Sequence, residues 1–271
     1  MLPILSLILG LLGAFVLLGV IYLAFLVRPA GKIPANRALL CDYAHRGLHG
    51  DTIPENSLAA FSLACERGVG IELDVQLSRD GVVMVFHDYT LARMTGAEGR
   101  LRERTADELQ GLFLLESDQT IPTLAEVLEL VAGRVPLLIE LKGENLNTAL
   151  CGRVADLLGD YTGAYCIESF NPWLLRRMAH YLPQAYRGLL YTNLCRDKDR
   201  VNLPYLAMTA MVANGLAKPH FIACNHLDRD ALPVRLATRL YKAPRLVWTA
   251  CSEEEIRDAH RRGEWVIFED K

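Results

Sequence analysis

Eight short apolar runs, separated by helical patterns, constrain this chain more than any other feature. The runs lie at 39–44, 70–76, 137–142, 165–170, 186–191, 221–225, 245–250 and 265–269. Helical patterns between them cover 57–67, a stretch opened by Thr123, 146–158, 172–181, 206–214, 229–241 and 253–262. Ser57 is placed to cap the first, and Thr123 with Glu126 and Ser252 with Glu255 have capping-box spacing. Strands separated by helices pair in parallel. Eight of them close an α/β fold of the (β/α)8 TIM barrel type, about 250 residues long. The rival, an open doubly wound sheet, would carry a glycine-rich turn after its first strand. Neither G-x-G-x-x-G nor G-x-x-x-x-G-K-[ST] occurs. Residues 82–119 break the alternation and read as an extra strand ending at His87 plus a small polar insertion after the second strand. Insertions of this length shape the mouth of barrel sites.

The N-terminus has a different character. Residues 3–27 carry no charge, and about 20 apolar residues cross a bilayer as a helix. No Lys or Arg precedes the run, it is longer than a signal-peptide core, and no A-x-A-like site follows. It therefore reads as one retained transmembrane helix (1–28), then a juxtamembrane linker (29–40) and a barrel domain (41–271). Arg28, Lys32 and Arg37 follow the run, and no acid lies in the first 40 residues. The positive-inside rule then places the barrel in the cytoplasm of a single-pass membrane protein. Ser6, Gly10 and Ala14 recur every four residues, the spacing of a helix-pairing face, which raises the expectation of a homodimer. Residues 41–271 carry a net charge of −6, which excludes nucleic acid as the main partner and disfavours non-specific binding to anionic lipid. The seven cysteines show no C-x-x-C spacing, so reduced thiols are expected rather than disulfides or a thiolate zinc site.

Chemistry-bearing residues gather at strand ends. The first run ends in His45-Arg46, the second holds Glu72 and Asp74, and the third holds Glu140 and Lys142. Side chains on a strand alternate with period two, so each of the last two pairs shares a face. Acids on the inward face of apolar strands are costly unless paired or bound to metal. Three converging carboxylates suit a hard divalent cation, Ca²⁺ or Mg²⁺. The competing reading pairs them with Lys142 and Arg46 as structural ion pairs. His45 and His87 each end an apolar run, and two imidazoles at one mouth can act as base and acid near neutral pH. Arg46 offers a planar fork to phosphate oxygens and Lys142 a point charge. His49, His180, His220, His226 and His260 are read as structural or surface residues.

Residues 44–94 contain A-H-R-G, P-E-N, E-L-D and F-H-D in an order and spacing that resemble the glycerophosphodiester phosphodiesterases. I-E-L-K at 139–142, S-F-N at 169–171 and V-W-T at 247–249 extend the resemblance over most of 41–271. It implies a barrel enzyme, a phosphoric diester hydrolase, with a divalent cation (Ca²⁺ or Mg²⁺) held by Glu72, Asp74 and Glu140. It further implies His45 and His87 as the acid–base pair, with Arg46 and Lys142 stabilising phosphate charge. Glu55 and Asn56 would support the mouth, and Trp248 would line the alcohol side or pack in the barrel. The implied reaction yields glycerol 3-phosphate and an alcohol from glycerophosphodiesters. A lysophospholipase D acting on lysophospholipids is the close alternative, and residues 111–115 (G-L-F-L-L) would supply its apolar groove or else form the insertion's own core. A non-catalytic membrane sensor of glycerophosphodiesters is the reading from another class. It is disfavoured because every acid, ligand and histidine of the motifs is present. The chain departs from the family pattern at 263–271, where no helix follows the last strand. That leaves the outer wall there to be covered by 28–40, the membrane helix or a second copy. It also departs at Ala250-Cys251. Cys41, Cys166 and Cys224 lie in or beside strands and are expected to pack.

Overall fold

The computed structural model describes residues 2–30, 36–143 and 147–269. Its strands are β1 (Tyr43–Ala44), β2 (Gly70–Leu77), β3 (Val83–Val85), β4 (Leu137–Leu141), β5 (Tyr165–Ser169), β6 (Tyr186–Tyr191), β7 (Phe221–Asn225), β8 (Arg245–Ala250) and β9 (Trp265–Phe268). Eight pair in parallel around a ring that β1 closes by bonding both β2 and β9, so the fold is a TIM barrel. β3 stands outside the ring, antiparallel to β2 with Val85 opposite Val75. It opens the expected insertion, which packs on its own core of Met84, Leu91, Leu101, Leu109 and Leu114.

Strand alternation divides the apolar side chains into two cores. Ile71, Leu73, Ile139, Ile167, Leu189 and Ile222 point outward under the helices. Tyr43, Leu138, Cys166, Tyr186, Phe221 and Ile267 point inward and fill the lower barrel. Higher up, the inward positions of β2, β4 and β5 become Glu72, Asp74, Glu140 and Glu168, all buried. The apolar floor thus supports a charged upper layer at the C-terminal ends of the strands, where barrel sites form.

Several expected boundaries move. The first strand was expected over 39–44, yet only Tyr43–Ala44 pairs. Asn36 caps a tight turn at Arg37–Leu39 by accepting from the Ala38 N–H, and Leu39 O accepts from Tyr43 Oη at 2.9 Å. Leu39 and Cys41 consequently plug the barrel floor instead of extending the strand. The helix expected over 206–214 begins earlier, at Leu203–Thr209, because Asn202 caps it and Pro204 occupies its first turn. A second turn follows at Asn214–Ala217. The helix expected over 229–241 starts at Leu232, again with a proline in its first turn. Leu146, the expected start of another helix, lies outside the described residues; the helix is seen from Ala149 to Gly159. At the capping box expected from Ser252 and Glu255, Ser252 accepts from the Glu255 N–H, but the Glu255 carboxylate turns to the Cys251 N–H.

The apolar N-terminal helix (Leu2–Ile21) continues through a wide turn at Tyr22–Leu26. The stretch Ile4–Leu26 has a mean hydropathy of 2.8 and is long and apolar enough to cross a membrane. The end of this stretch and the residues just beyond it are held against the barrel, not loose as a linker would be. Tyr22 Oη donates to Ala210 O at 2.8 Å, Asn214 Nδ2 donates to Val27 O at 2.7 Å, and Ala30 N donates to Pro219 O at 2.7 Å. Tyr241 Oη donates to Leu23 O. Val27 is fully buried among outer-core residues including Met211 and Cys224. Gly215 permits this close approach, since a Cβ there would lie 2.8 Å from Phe25 O. Lys32 lies outside the described residues. The N-terminal segment therefore lines the wall over β6 and β7, not over the last strand. β9 is covered instead by the helix Glu253–Arg261, whose Ala259 and Ile256 pack on Val266. All seven cysteines are free thiols.

Candidate active site

The turn leaving β1 sets the site. Arg46 and Gly47 both have positive φ, 56° and 83°. A Cβ on Gly47 would meet the Ala60 Cβ at 2.8 Å, so glycine is what lets this turn press onto the helix Leu58–Glu66. The turn aims the Arg46 N–H at Glu72 Oε2, 2.9 Å away. Ser57 caps that helix by accepting from the Ala60 N–H, and the preceding Asn56 donates through Nδ2 to Asp74 Oδ2 at 2.9 Å. Glu55 accepts from Arg46 Nη1 at 2.8 Å and from Arg93 Nη2 at 2.6 Å. Although burial raises the Glu55 carboxyl, these two guanidinium groups outweigh it and hold the group below its usual range.

Glu72, Asp74 and Glu140 converge, with one ligand oxygen of each within 4.8 Å of the others. The expected ion pairs are present as well. Lys142 Nζ lies 3.0 Å from Asp74 Oδ1 and 2.9 Å from Glu140 Oε1, and Arg46 Nε lies 3.5 Å from Asp74 Oδ2. These pairs do not balance the charge. Glu168, paired in register with Glu140, adds a fourth buried carboxylate, and its Oε2 has no hydrogen-bond partner. Four acids therefore face two cations, one of which is shared with Glu55. Burial and mutual repulsion push Glu72 and Glu168 far up and Glu140 up to about 7. Asp74 is also raised by burial, but Lys142, His87 and Arg46 overcome this and hold it well below its usual range. Excess buried negative charge on oxygen donors, with one orphaned carboxylate oxygen, fits a hard divalent cation.

The two histidines are each backed by a carboxylate. His45 Nδ1 lies 2.9 Å from Glu269 Oε1, and His87 Nδ1 lies 2.6 Å from Asp88 Oδ1. A carboxylate can only accept here, so Nδ1 carries the proton and Nε2 is left for chemistry. Asp88 is itself held by Arg93 Nε at 2.6 Å. One chain of contacts thus runs from His87 through Asp88, Arg93 and Glu55 to Arg46. Gln76 Nε2 donates to the carbonyls of Phe86, His87 and Asp88, which fixes the His87 turn over β2. Burial lowers His87 against the raising field of Asp74, which favours the neutral imidazole. His49 joins His45 and Glu269 in a second group with ligand atoms within 4.8 Å.

A cavity of about 500 Å³ opens over this layer, lined by His87, Glu140, Lys142, Phe170 and Asn171 among others. Trp248 is not among its lining residues. Its Nε1 donates to Ala223 O at 2.9 Å, and its ring meets Phe170 edge-on at 5.8 Å, so it packs in the barrel and reaches the cavity through Phe170. The segment 111–115 divides its roles: Leu114 is buried in the insertion's core while Phe113 and Leu115 are exposed. Sequence reasoning missed Gln76, Asp88, Glu168 and Glu269 as site residues. Gln76 and Glu168 stand on inward strand positions two residues from others that face inward, and Glu269 continues the period from Ile267. Asp88 is adjacent to His87.

The model of the glycerophosphoryl diester phosphodiesterase family matches residues 45–271. A glycerophosphodiester phosphodiesterase of Caldanaerobacter subterraneus subsp. tengcongensis is 38% identical over 159 residues, covering 55% of this chain and 65% of that protein. Glycerophosphodiester phosphodiesterase 1 of Rattus norvegicus is 34% identical over 149 residues, covering 48% of this chain and 45% of that protein. Among solved structures, an Oleispira antarctica phosphodiesterase in complex with the product sn-glycerol-3-phosphate superposes with a TM-score of 0.69 at 24% identity, over 84% of this chain and 92% of that one. A Thermotoga maritima glycerophosphodiester phosphodiesterase gives 0.65 at 25% identity, over 84% and 94%.

Proposed function

The chain belongs to the glycerophosphoryl diester phosphodiesterase family, and from that premise we propose that it hydrolyses glycerophosphodiesters to glycerol 3-phosphate and an alcohol. The observation that carries this reading is the pairing of two carboxylate-backed imidazoles, His45 and His87, with a buried cluster of acids at the barrel mouth. Glu72, Asp74 and Glu140 would hold a divalent cation. When bound, such an ion neutralises phosphate charge and stabilises the crowded transition state. Arg46 and Lys142 supply further positive charge to the phosphate oxygens. One imidazole takes the proton of a neighbouring glycerol hydroxyl as that oxygen attacks phosphorus. The other gives a proton to the departing alcohol oxygen, leaving a cyclic phosphodiester. Water then opens the ring with the two imidazoles in exchanged roles.

The test is hydrolysis of glycerophosphocholine by the full chain in detergent. His45→Ala and His87→Ala should each lower kcat by about 10²- to 10⁴-fold without loss of fold. Near-normal turnover in either variant rejects the acid–base assignment. EDTA should abolish turnover, and added Ca²⁺ or Mg²⁺ should restore it. EDTA-resistant turnover rejects the cation. Release of lysophosphatidic acid from lysophosphatidylcholine, without activity on glycerophosphocholine, would favour the lysophospholipase D alternative.

The N-terminal helix is proposed as a retained single-pass anchor with the barrel on the cytoplasmic side and 41–271 as the catalytic domain. The burial of Val27 and the bonds of Tyr22, Leu23 and Ala30 to the barrel wall support retention of residues 22–30, because cleavage after any of them would strip a packed piece from the wall. Intact mass of the carbonate-resistant membrane protein tests it. A mature N-terminus beyond residue 20 overturns it.

A further inference from the structure

We propose that the connections following β6 and β7 form a membrane-contacting patch beside the anchor, so that the mouth of the barrel faces the lipid surface. The inference rests on the reading of Ile4–Leu26 as a membrane span. Val201, Leu203 and Leu206, after β6, are 72%, 79% and 48% exposed, and Leu227 and Leu232, after β7, are 67% and 64% exposed. Large apolar side chains this exposed, and grouped on two adjacent connections, mark an interaction surface.

Two observations join them into one surface. Asp228 ties the connections together, because its carboxylate accepts from Asn193 N at 2.9 Å and from Arg196 Nη1 at 2.7 Å. The anchor is rooted beside them, with Tyr22 bonded to Ala210 just beyond the helix Leu203–Thr209.

The contacts of the N-terminal segment also place its root on the wall. Ala30 meets Pro219, close below the start of β7, and Val27 meets Asn214. Tyr22 meets Ala210, whose neighbour Thr209 accepts from Tyr191 Oη at the upper end of β6. Traced toward the N-terminus, the chain climbs the wall from the floor; Tyr22 Oη reaches up to Ala210 O, while Leu23 O accepts from Tyr241 Oη, which ends the helical turn before β8. The helix then leaves the barrel there, with its large apolar side chains from Ile4 to Val20 all more than half exposed. A bilayer that covers this helix lies beside the leucines of both connections, which stand on the mouth side of the barrel. A bilayer is favoured over a protein partner because the helix beside the patch already requires hydrocarbon.

Nitroxide labels on the full chain in phosphatidylcholine vesicles test this. They would be placed singly at Phe15→Cys, Leu203→Cys, Leu227→Cys and Asp160→Cys, with Cys41, Cys195 and Cys251 changed to Ser. All four labelled positions are exposed, so the fold tolerates them. Asp160 closes a helix at the foot of the barrel and serves as the aqueous control. The expected result is an oxygen-to-nickel-chelate accessibility ratio highest at 15, several-fold above the control at 203 and 227, and lowest at 160. If 15 lies in lipid while 203 or 227 matches 160, the patch is overturned and the anchor stands. A label at 15 that matches 160 overturns the anchor itself, and the patch with it. Low accessibility to both reagents at 203 and 227, the mark of a protein partner or second copy, also overturns membrane contact.

Discussion

At the scale of single residues, the upper barrel layer is a charge imbalance held in place by packing. With divalent cations chelated, Glu140 titrates near 7 in the folded chain against an ordinary value near 4.5. A raised folded value means that the native state binds more protons than the unfolded chain across this window. Stability should therefore fall as pH rises from about 4.5 to 7; the raised Glu72 and Glu168 act in the same direction, and together the three buried carboxyls outweigh the opposite contribution of the lowered His87. Thermal unfolding in EDTA at pH 5 and pH 7.5 measures it: the lower pH should give the higher Tm, and added Ca²⁺ or Mg²⁺ should recover the difference. A second prediction concerns Glu269. Glu269→Gln removes the charge behind His45 while keeping the shape, so kcat should fall, though less than in His45→Ala, with KM nearly unchanged. Equal kcat in wild type and variant would remove Glu269 from the positioning of His45. His45, Arg46, Glu72, Asp74, His87, Glu140 and Lys142 could be read from sequence because they stand in compact motifs on successive strands. Their partners Asp88, Gln76, Glu168 and Glu269 could not, because each matters only through a contact that the closed barrel creates.

At the scale of elements, short apolar runs between helical patterns marked every ring strand, and seven of the eight lie close to the expected residues. The exception is the first. Residues 39–42 have strand-like composition, but Asn36 and Tyr43 offer hydrogen bonds that favour a turn, and the floor of the barrel needs a plug. Prolines near helix starts moved two further boundaries, since Pro fits the first turn of a helix and fixes where it begins. Interior packing leaves little room at Gly188 on β6, where a Cβ would come 2.2 Å from the Phe221 ring. Gly188→Ala should cost about 1–3 kcal/mol through displacement of that ring. Urea unfolding of the two proteins checks this, and an unchanged midpoint would show that the ring moves freely.

At the scale of the whole molecule, the end of the N-terminal apolar segment and the barrel are one body. Composition could not reveal this, because Tyr22 to Val27 continue the apolar run without a break and read as the end of the membrane helix. In the structure those residues belong partly to the barrel's outer core. Truncation separates the two roles. A chain beginning at residue 21 keeps Tyr22, Val27 and Ala30 in place and should unfold near the temperature of the full chain. One beginning at residue 34 loses the buried Val27 and the bonds to Ala210, Asn214 and Pro219, and should unfold at a distinctly lower temperature. Equal melting temperatures would make the docked segment ornamental.

The seam between β1 and β9 has a consequence in time. Ribosomes make β1 among the first residues of the barrel and β9 among the last, so the ring stays open through nearly all of synthesis, and its closing bonds include His45 N to Phe268 O at 2.9 Å. The same seam carries the carboxylate that orients the His45 imidazole. A nascent or prematurely terminated chain can thus display every signature of its first hundred residues and still lack a properly aimed imidazole. Arrival of the last barrel strand and the aiming of the His45 imidazole become a single event.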